Sequence, residues 1–275
     1  MHVKRAFVIG HPIAHSRSPL IHGHWLARYG IAGSYEAIDV EPAALGAFFE
    51  RLRSGEFAGG NVTIPHKERA FALADARDPL AEAIGAVNTL VVKAGEVTGF
   101  NTDYMGFLGN LDQNAPGWDQ GLKEAIVLGA GGACRAILVA LKSRGVGRIR
   151  LLNRTLDKAE TLAIEMEGPI LAGALHEFAA HAPAAGLVIN TTSVGMKGTA
   201  FHGLDLAALP AHAIVTDIVY TPLVTPLLAA ARARGLRTVD GLGMLLHQAA
   251  PGFEAWFGRR PEVTPELRAL VEATL

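Results

Sequence analysis

The stretch "AIVLGAGGACRA", residues 125–136, leaves a chain few folds to choose from. An apolar run ends in Gly129-Ala130-Gly131-Gly132, and helix-forming residues follow at once. Glycines let the backbone turn sharply between strand and helix and come close to a pyrophosphate. The N–H groups opening the helix then face the anion. A strand that runs directly into a helix belongs to a parallel sheet, because parallel neighbours are joined by crossover helices. At the sixth position of the G-x-G-x-x-G pattern stands Cys134, small enough to keep helix and strand close. A tight turn with no ligand would use the same residues.

The rest of the chain repeats the alternation. "RAFVIG", "GSYEAIDV" and "GGNVTIP" read as strands, and "AVNTLVVKAGEVTGF" as a hairpin turning at Ala94-Gly95-Glu96. After Asn114-Ala115-Pro116-Gly117 come the glycine-turn strand, "RIRLLNRT", "GLVINTTSVGM", "AIVTDIVY" and "LRTVDG". Amphipathic stretches between them read as helices. One begins at Ser18 as N-cap with Pro19 behind it and stops at Gly30, and another opens with Thr225-Pro226. Pro251 is expected to kink the last apolar helix. The expected fold class is α/β, as two α/β domains with a boundary near residues 103–120. At 275 residues and 50% hydrophobic, the chain can fill two such cores.

Composition narrows the function classes. The 25 basic and 26 acidic residues are mixed along the chain, which argues against nucleic acid. The single cysteine rules out an intramolecular disulfide and suits a reducing cytoplasm. No stretch approaches the roughly 20 apolar residues of a membrane span, and the opening "MHVKRAFVIG" has too short an apolar run for a signal peptide. His11, His15, His22 and His24 lack carboxylate or cysteine partners at ligand spacing, so no metal is expected.

The strand after the glycine turn bears on the cofactor. NAD-preferring folds usually end it with Asp or Glu, which binds the ribose 2′-hydroxyl. Here the tip is Asn153-Arg154-Thr155, with Lys158 beyond. Arg154 can pair with a 2′-phosphate, which favours NADP, although a solvated arginine at a strand end is common.

In the first half, "GHPIAHSRSP" puts Ser16 and Ser18 in the loop after the first strand, at the carboxyl edge where α/β sheets bind ligands. "NVTIPHK" adds Asn61, Thr63 and Lys67, "AVNTL" adds Asn88, and "GFNTD" adds Asn101, Thr102 and Asp103. Ser18 and Asp103 could each be no more than a helix cap. Lys67 falls in the first turn of a helix, where the dipole disfavours a cation by about 0.3–1 kcal/mol. It is either a poorly placed surface lysine or one held there for chemistry.

"GHPIAHSRSPLIH", "NVTIPHK", "GAVNTL", "NTD", "GAGGACRA", "NRT", "YTPLVTPLL" and "GLGMLLHQA", in this order over nearly the whole chain, resemble the shikimate dehydrogenase family. The resemblance implies reversible, NADPH-dependent reduction of 3-dehydroshikimate to shikimate, in aromatic amino-acid biosynthesis. It implies a substrate domain with a mainly parallel sheet, residues 1–103 with 243–275, and a Rossmann-type NADP domain, residues 104–242, with the active site in the cleft between. By motif, Lys67 would be the acid/base and Asp103 its partner. Ser16 and Ser18 would bind the substrate carboxylate, and Thr63, Asn88 and Asp103 the ring hydroxyls. Tyr220 and Gln248 would complete the pocket. NADP would lie on Gly129, Ala130, Gly131, Gly132, Ala133, Asn153, Arg154, Thr155 and Lys158, with Val219 and Gly241 facing the nicotinamide. Cys134 replaces the expected alanine, Gly23 a frequent asparagine, and Asp78-Pro79 a cofactor contact of some members. The expected partner is the small substrate, not nucleic acid or membrane, with monomer and homodimer both open. A quinate/shikimate dehydrogenase using NAD and a catalytically silent NADP sensor are the rival readings.

Overall fold

The structure, a computed structural model, describes residues 3–275. In chain order the elements are β1 (Lys4–Gly10), α1 (Ser18–Tyr29), β2 (Gly33–Asp39), α2 (Leu45–Arg53), β3 (Gly59–Val62), α3 (Lys67–Leu73), β4 (Ala76–Arg77), α4 (Pro79–Ile84), β5 (Thr89–Lys93), β6 (Glu96–Phe100) and α5 (Asp103–Asn114). Then follow β7 (Glu124–Leu128), α6 (Gly132–Ser143), β8 (Arg148–Asn153), α7 (Leu156–Met166), β9 (Ile170–Ala174), α8 (Phe178–His181), β10 (Leu187–Asn190), β11 (Val194–Lys197), β12 (Ile214–Asp217), α9 (Pro226–Ala233), β13 (Arg237–Val239), α10 (Leu242–Phe257) and α11 (Pro265–Glu272). The chain divides into two compact units: the described residues up to Asp103 with Leu246–Thr274, and Tyr104–Leu245. No helix among the described residues is long and apolar enough to cross a membrane.

The first unit holds a six-stranded sheet in the order β2-β1-β3-β5-β6-β4. β1 pairs in parallel with β2 and β3, while β5 runs antiparallel to β3 and β6 antiparallel to β5. This mixture brings strand ends and starts to one edge. Ile9 pairs with Val62, Asn61 with Thr89, and Thr89 with Phe100. The segments after β1, after β3, before β5 and after β6 therefore share that edge. Below it, Phe7 meets Phe48 and Phe57 edge-on, each at 5.0 Å.

The second unit is a six-stranded parallel sheet, β13-β12-β10-β7-β8-β9. It is buried on both faces. Ala125, Val127, Leu187 and Ile189 enter one core, and Ile126, Leu128 and Val188 the other. That explains why its strands read as unbroken apolar runs. The order reverses direction between β7 and β10, the switch point at which such sheets bind ligands.

Several local expectations change. Ser18 is not the N-cap of α1: Arg17 holds that position without a side-chain bond, and Ser18 starts the helix with its N–H donated to Ser16 Oγ at 3.3 Å. β3 ends at Val62, before Thr63 and Ile64. "GLVINTTSVGM" splits into β10 and β11, because the Asn190 side chain bonds Thr192 and Val194 and turns the chain. β9 escaped the pattern reading. It is an edge strand whose one partner among the described residues is β8, and its "ILAGA" has just Ile170 and Gly173 buried.

His22 is fully buried, stacked on Tyr35 at 4.0 Å and packed against Trp25 and Phe253. Neither ring nitrogen has a hydrogen-bond partner among the described residues. Burial lowers its pKa from 6.5 to about 3. The unfolded chain takes up this proton below pH 6.5 and the folded chain only near 3. The stability difference is therefore complete above pH 6.5 and is lost as pH falls. At pH 4.5 the loss comes to about 3 kcal/mol. Urea unfolding at pH 7 and 4.5 should show His22→Gln losing about 2–3 kcal/mol less than wild type on acidification. Equal losses would contradict this assignment.

Candidate active site

The ligand edge of the first unit gathers one polar network. Pro65 ends the extended segment after β3, so Lys67 becomes the first residue of α3. β6 ends one turn before Asp103, the first residue of α5. Lys67 Nζ donates to Asp103 Oδ2, and the two side chains are only 15% and 8% exposed. The other oxygen, Oδ1, accepts from Asn88 Nδ2 at 2.8 Å. Asn88 Oδ1 accepts from the Thr102 N–H at 2.7 Å and from Thr89 Oγ1 at 2.9 Å. Gln248, carried on α10, brings its Oε1 within 3.4 Å of Asn88 Nδ2 and of Thr102 Oγ1. Lys67, Asn88, Asp103 and Gln248 are thus drawn together from three helices, α3, α5 and α10, and the segment before β5.

Asp103 does not act as a cap. Asn101 Oδ1 accepts the Asp103 N–H at 3.1 Å, which leaves both carboxylate oxygens to Lys67 and Asn88. An ammonium has three N–H donors. Only one acceptor for them, Asp103, is found among the described residues, so the others can serve a ligand oxygen. The arrangement can orient a substrate hydroxyl and move a proton at one nitrogen.

At the same edge, the Thr63 N–H donates to Ile9 O at 2.9 Å and the His11 N–H to Ile64 O at 3.0 Å. These bonds fix the loop that carries Thr63 against the loop that carries Ser16. Ser18 is buried and neighbours the hydroxyl of Tyr35, which donates to Asn61 Oδ1 at 2.6 Å. Asn61 Nδ2 reaches Thr89 Oγ1 at 3.1 Å, which links the serine end to Asn88. Tyr35 and Thr89 were missed in the sequence. Both sit inside strands, where a hydroxyl reads as ordinary strand composition. Tyr220 belongs to the second unit, beside Val219 in the segment after β12.

In the second unit the register sets Leu128 beside Leu152 and Asn190, and Asn190 beside Asp217. The glycine turn, the Asn153-Arg154-Thr155 tip and the segments after β10 and β12 therefore share one carboxyl edge. Gly129 has φ +102°, and a Cβ there would lie 2.5 Å from Thr192 Cγ2. A Cβ on Gly131, the N-cap of α6, would meet nothing within 4 Å. A pyrophosphate on Gly129, Ala130, Gly131, Gly132 and Ala133 fits this geometry: the turn is tight underneath, open above, and backed by a 12-residue helix. Cys134 lies fully buried beneath it, and burial pushes its thiol up to about 12, so it packs and does not react. Arg154, Thr155 and Lys158 are exposed, and Asn153 Nδ2 donates to Thr155 O at 2.8 Å. A Cβ on Gly241 would lie 2.5 Å from Ile218 O and 2.7 Å from Val219 O, so glycine lets the Val219 backbone rest directly on it.

A parallel sheet in this order, with a glycine turn at its switch point, in a chain whose other unit carries a buried lysine–carboxylate pair, defines the class: an α/β dehydrogenase that uses a dinucleotide. Comparison with known proteins narrows it. Family models match residues 8–90 (shikimate dehydrogenase substrate binding domain), 114–241 (shikimate/quinate 5-dehydrogenase) and 241–270 (shikimate 5′-dehydrogenase C-terminal domain). The NADP(+) shikimate dehydrogenase of Mesorhizobium japonicum is 60% identical, over 99% of this chain and 97% of its own. The chain belongs to the shikimate dehydrogenase family. Among solved structures, shikimate 5-dehydrogenase from Thermus thermophilus in complex with NADP(H) and shikimate is 38% identical with TM-score 0.87, over 99% of this chain and all of its own (100%). Quinate dehydrogenase from Corynebacterium glutamicum in complex with NAD is 30% identical with TM-score 0.90, over 98% of this chain and 99% of its own.

Proposed function

We propose that the chain catalyses the reversible, NADP-dependent interconversion of shikimate and 3-dehydroshikimate, with substrate held by the first unit and cofactor by the second. The observation that supports it most is the Lys67–Asp103–Asn88 network at the ligand edge of the first unit. We further place the enzyme in the cytoplasm, as a monomer or homodimer.

NADPH, when bound, supplies the hydride that reduces the ketone. The residues of the chain do the rest. Lys67 gives the proton that the forming alkoxide needs, and its charge stabilises that oxygen. In the reverse direction it takes the proton back. Asp103 holds the ammonium through Oδ2 and is held through Oδ1 by Asn88, which fixes the lysine's reach. Ser16 and Ser18 bind the carboxylate, Thr63, Asn88 and Asp103 the ring hydroxyls, and Tyr220 and Gln248 complete the pocket. Shikimate deuterated on the carbon to be oxidised should yield deuterated NADPH and 3-dehydroshikimate. Deuterium appearing in solvent, or no NADPH, would overturn the reading.

The likeness to an NAD-bound quinate dehydrogenase favours one rival, with relaxed cofactor use. Arg154 separates the two. Its charge-assisted bonds to a 2′-phosphate are worth about 1.5–3 kcal/mol. Arg154→Ala should therefore raise KM for NADP about 10- to 100-fold and leave KM for NAD nearly unchanged. Equal effects on both cofactors would remove Arg154 from phosphate recognition. A silent NADP sensor would have no need of the lysine–carboxylate pair, which this chain retains.

A further inference from the structure

Asn190 and Asp217 end adjacent strands, β10 and β12, and pair in register at the carboxyl edge of the second unit. Both are buried, Asn190 completely and Asp217 to within 1%. Asn190 uses its whole amide. Its Oδ1 accepts from the Thr192 N–H at 2.9 Å and Thr192 Oγ1 at 2.7 Å, and its Nδ2 donates to Val194 O at 2.7 Å and Asp217 Oδ1 at 2.9 Å. Asp217 Oδ1 also accepts the Val219 N–H at 2.9 Å, and Oδ2 accepts from Thr225 Oγ1 at 2.7 Å.

Two loops are therefore tied to one buried amide–carboxylate contact. The first, Thr191–Val194, packs on the glycine turn: Thr191 Oγ1 donates to Leu128 O at 2.8 Å, and Thr192 fills the space beside Gly129. The second, Ile218–Thr225, carries Val219 and Tyr220 and lies on Gly241. Burying a carboxylate without a cation is costly unless hydrogen bonds satisfy it. Burial raises the pKa of Asp217, while Thr225, Val219 and Asn190 pull it back. A neutral or apolar pair would fill this site at lower cost, so the carboxylate needs a reason. Its three acceptor contacts supply one, since they set the direction in which the chain leaves β12.

We propose that Asn190 and Asp217 form a clasp of positioning residues that fixes Val219 and its loop relative to the glycine turn, and so aims the nicotinamide for hydride transfer. The proposal rests on the NADP reading above. Misplacement by about 1 Å can cost on the order of 100-fold in rate, whereas the adenosine end of NADP rests on Arg154 and Thr155, outside the clasp.

The test compares wild type, Asp217→Ala and Asp217→Asn in the full chain. Asp217→Ala should accelerate hydrogen exchange at the Val219 amide at least tenfold without cofactor. It should lower kcat about 10- to 100-fold, raise the primary deuterium isotope effect, and leave Kd for NADP within about threefold. Asparagine keeps an acceptor for the Val219 N–H and should restore most of kcat. If Asp217→Ala does not fold, Thr225→Val removes the Oδ2 contact, together with the cap bond that Thr225 Oγ1 accepts from the Leu228 N–H of α9, and should show the same pattern, with kcat about threefold to tenfold down. A kcat unchanged in the folded variant, or a raised Kd with unchanged kcat, would overturn the clasp. Failure of wild type to bind NADP would instead overturn the reading beneath it.

Discussion

Lys67→Ala is expected to lower kcat in both directions about 100- to 10,000-fold, while KM for shikimate changes no more than a few-fold. General acid–base groups contribute on this scale. The backbone should tolerate the change, since Lys67 stands at the first position of α3 and the Val87 N–H bonds its carbonyl, not its side chain. What is lost is the proton donor and the counter-charge to a carboxylate 8% exposed. Asp103 keeps Asn88 as a donor, so the network that binds ring hydroxyls remains. Steady-state kinetics decide the matter. An unchanged kcat with a raised KM would make Lys67 a binding group acting equally on ground and transition states.

Gly129→Ala is the complementary lesion. Its Cβ would stand 2.5 Å from Thr192 Cγ2 and 3.1 Å from Thr191 Oγ1, at φ +102°. Thr192 cannot step aside cheaply, because its hydroxyl and N–H are both bonded to Asn190. Relieving the clash displaces the N–H groups that open α6 toward the pyrophosphate; losing one such bond to a charged group costs about 1.5–3 kcal/mol, so Kd for NADP should rise about 10- to 100-fold by calorimetry. Shikimate binding to the cofactor-free protein should not change. A normal NADP affinity would mean that the turn does not shape the pyrophosphate site.

Much of this was legible because strand order and strand ends follow from pattern. The continuous apolar runs of β7, β10 and β12 announced a sheet buried on both faces, and the glycines marked where it turns. The chemistry was half legible. Asn88, Thr102 and Asp103 stood in sequence as polar residues at strand ends, but their mutual bonds depend on β5 and β6 running antiparallel beside β3, which no local pattern states. Ser18 and Asp103 each fitted a cap by type, and tertiary partners claimed both side chains instead. Asn190 and Asp217 lie within the stretches "GLVINTTSVGM" and "AIVTDIVY", where nothing local marks them out, and only the register of β10 on β12 shows them paired. β9 was lost because a short edge strand of Ala, Gly and Leu carries little period.

The most direct test of function is kcat/KM of the wild-type chain with shikimate or quinate, each with NADP+ or NAD+. Shikimate with NADP+ should exceed shikimate with NAD+ by at least about tenfold, in line with the phosphate contacts ascribed to Arg154, and should exceed quinate with either cofactor. Equal turnover with NAD+, or preference for quinate, would contradict it.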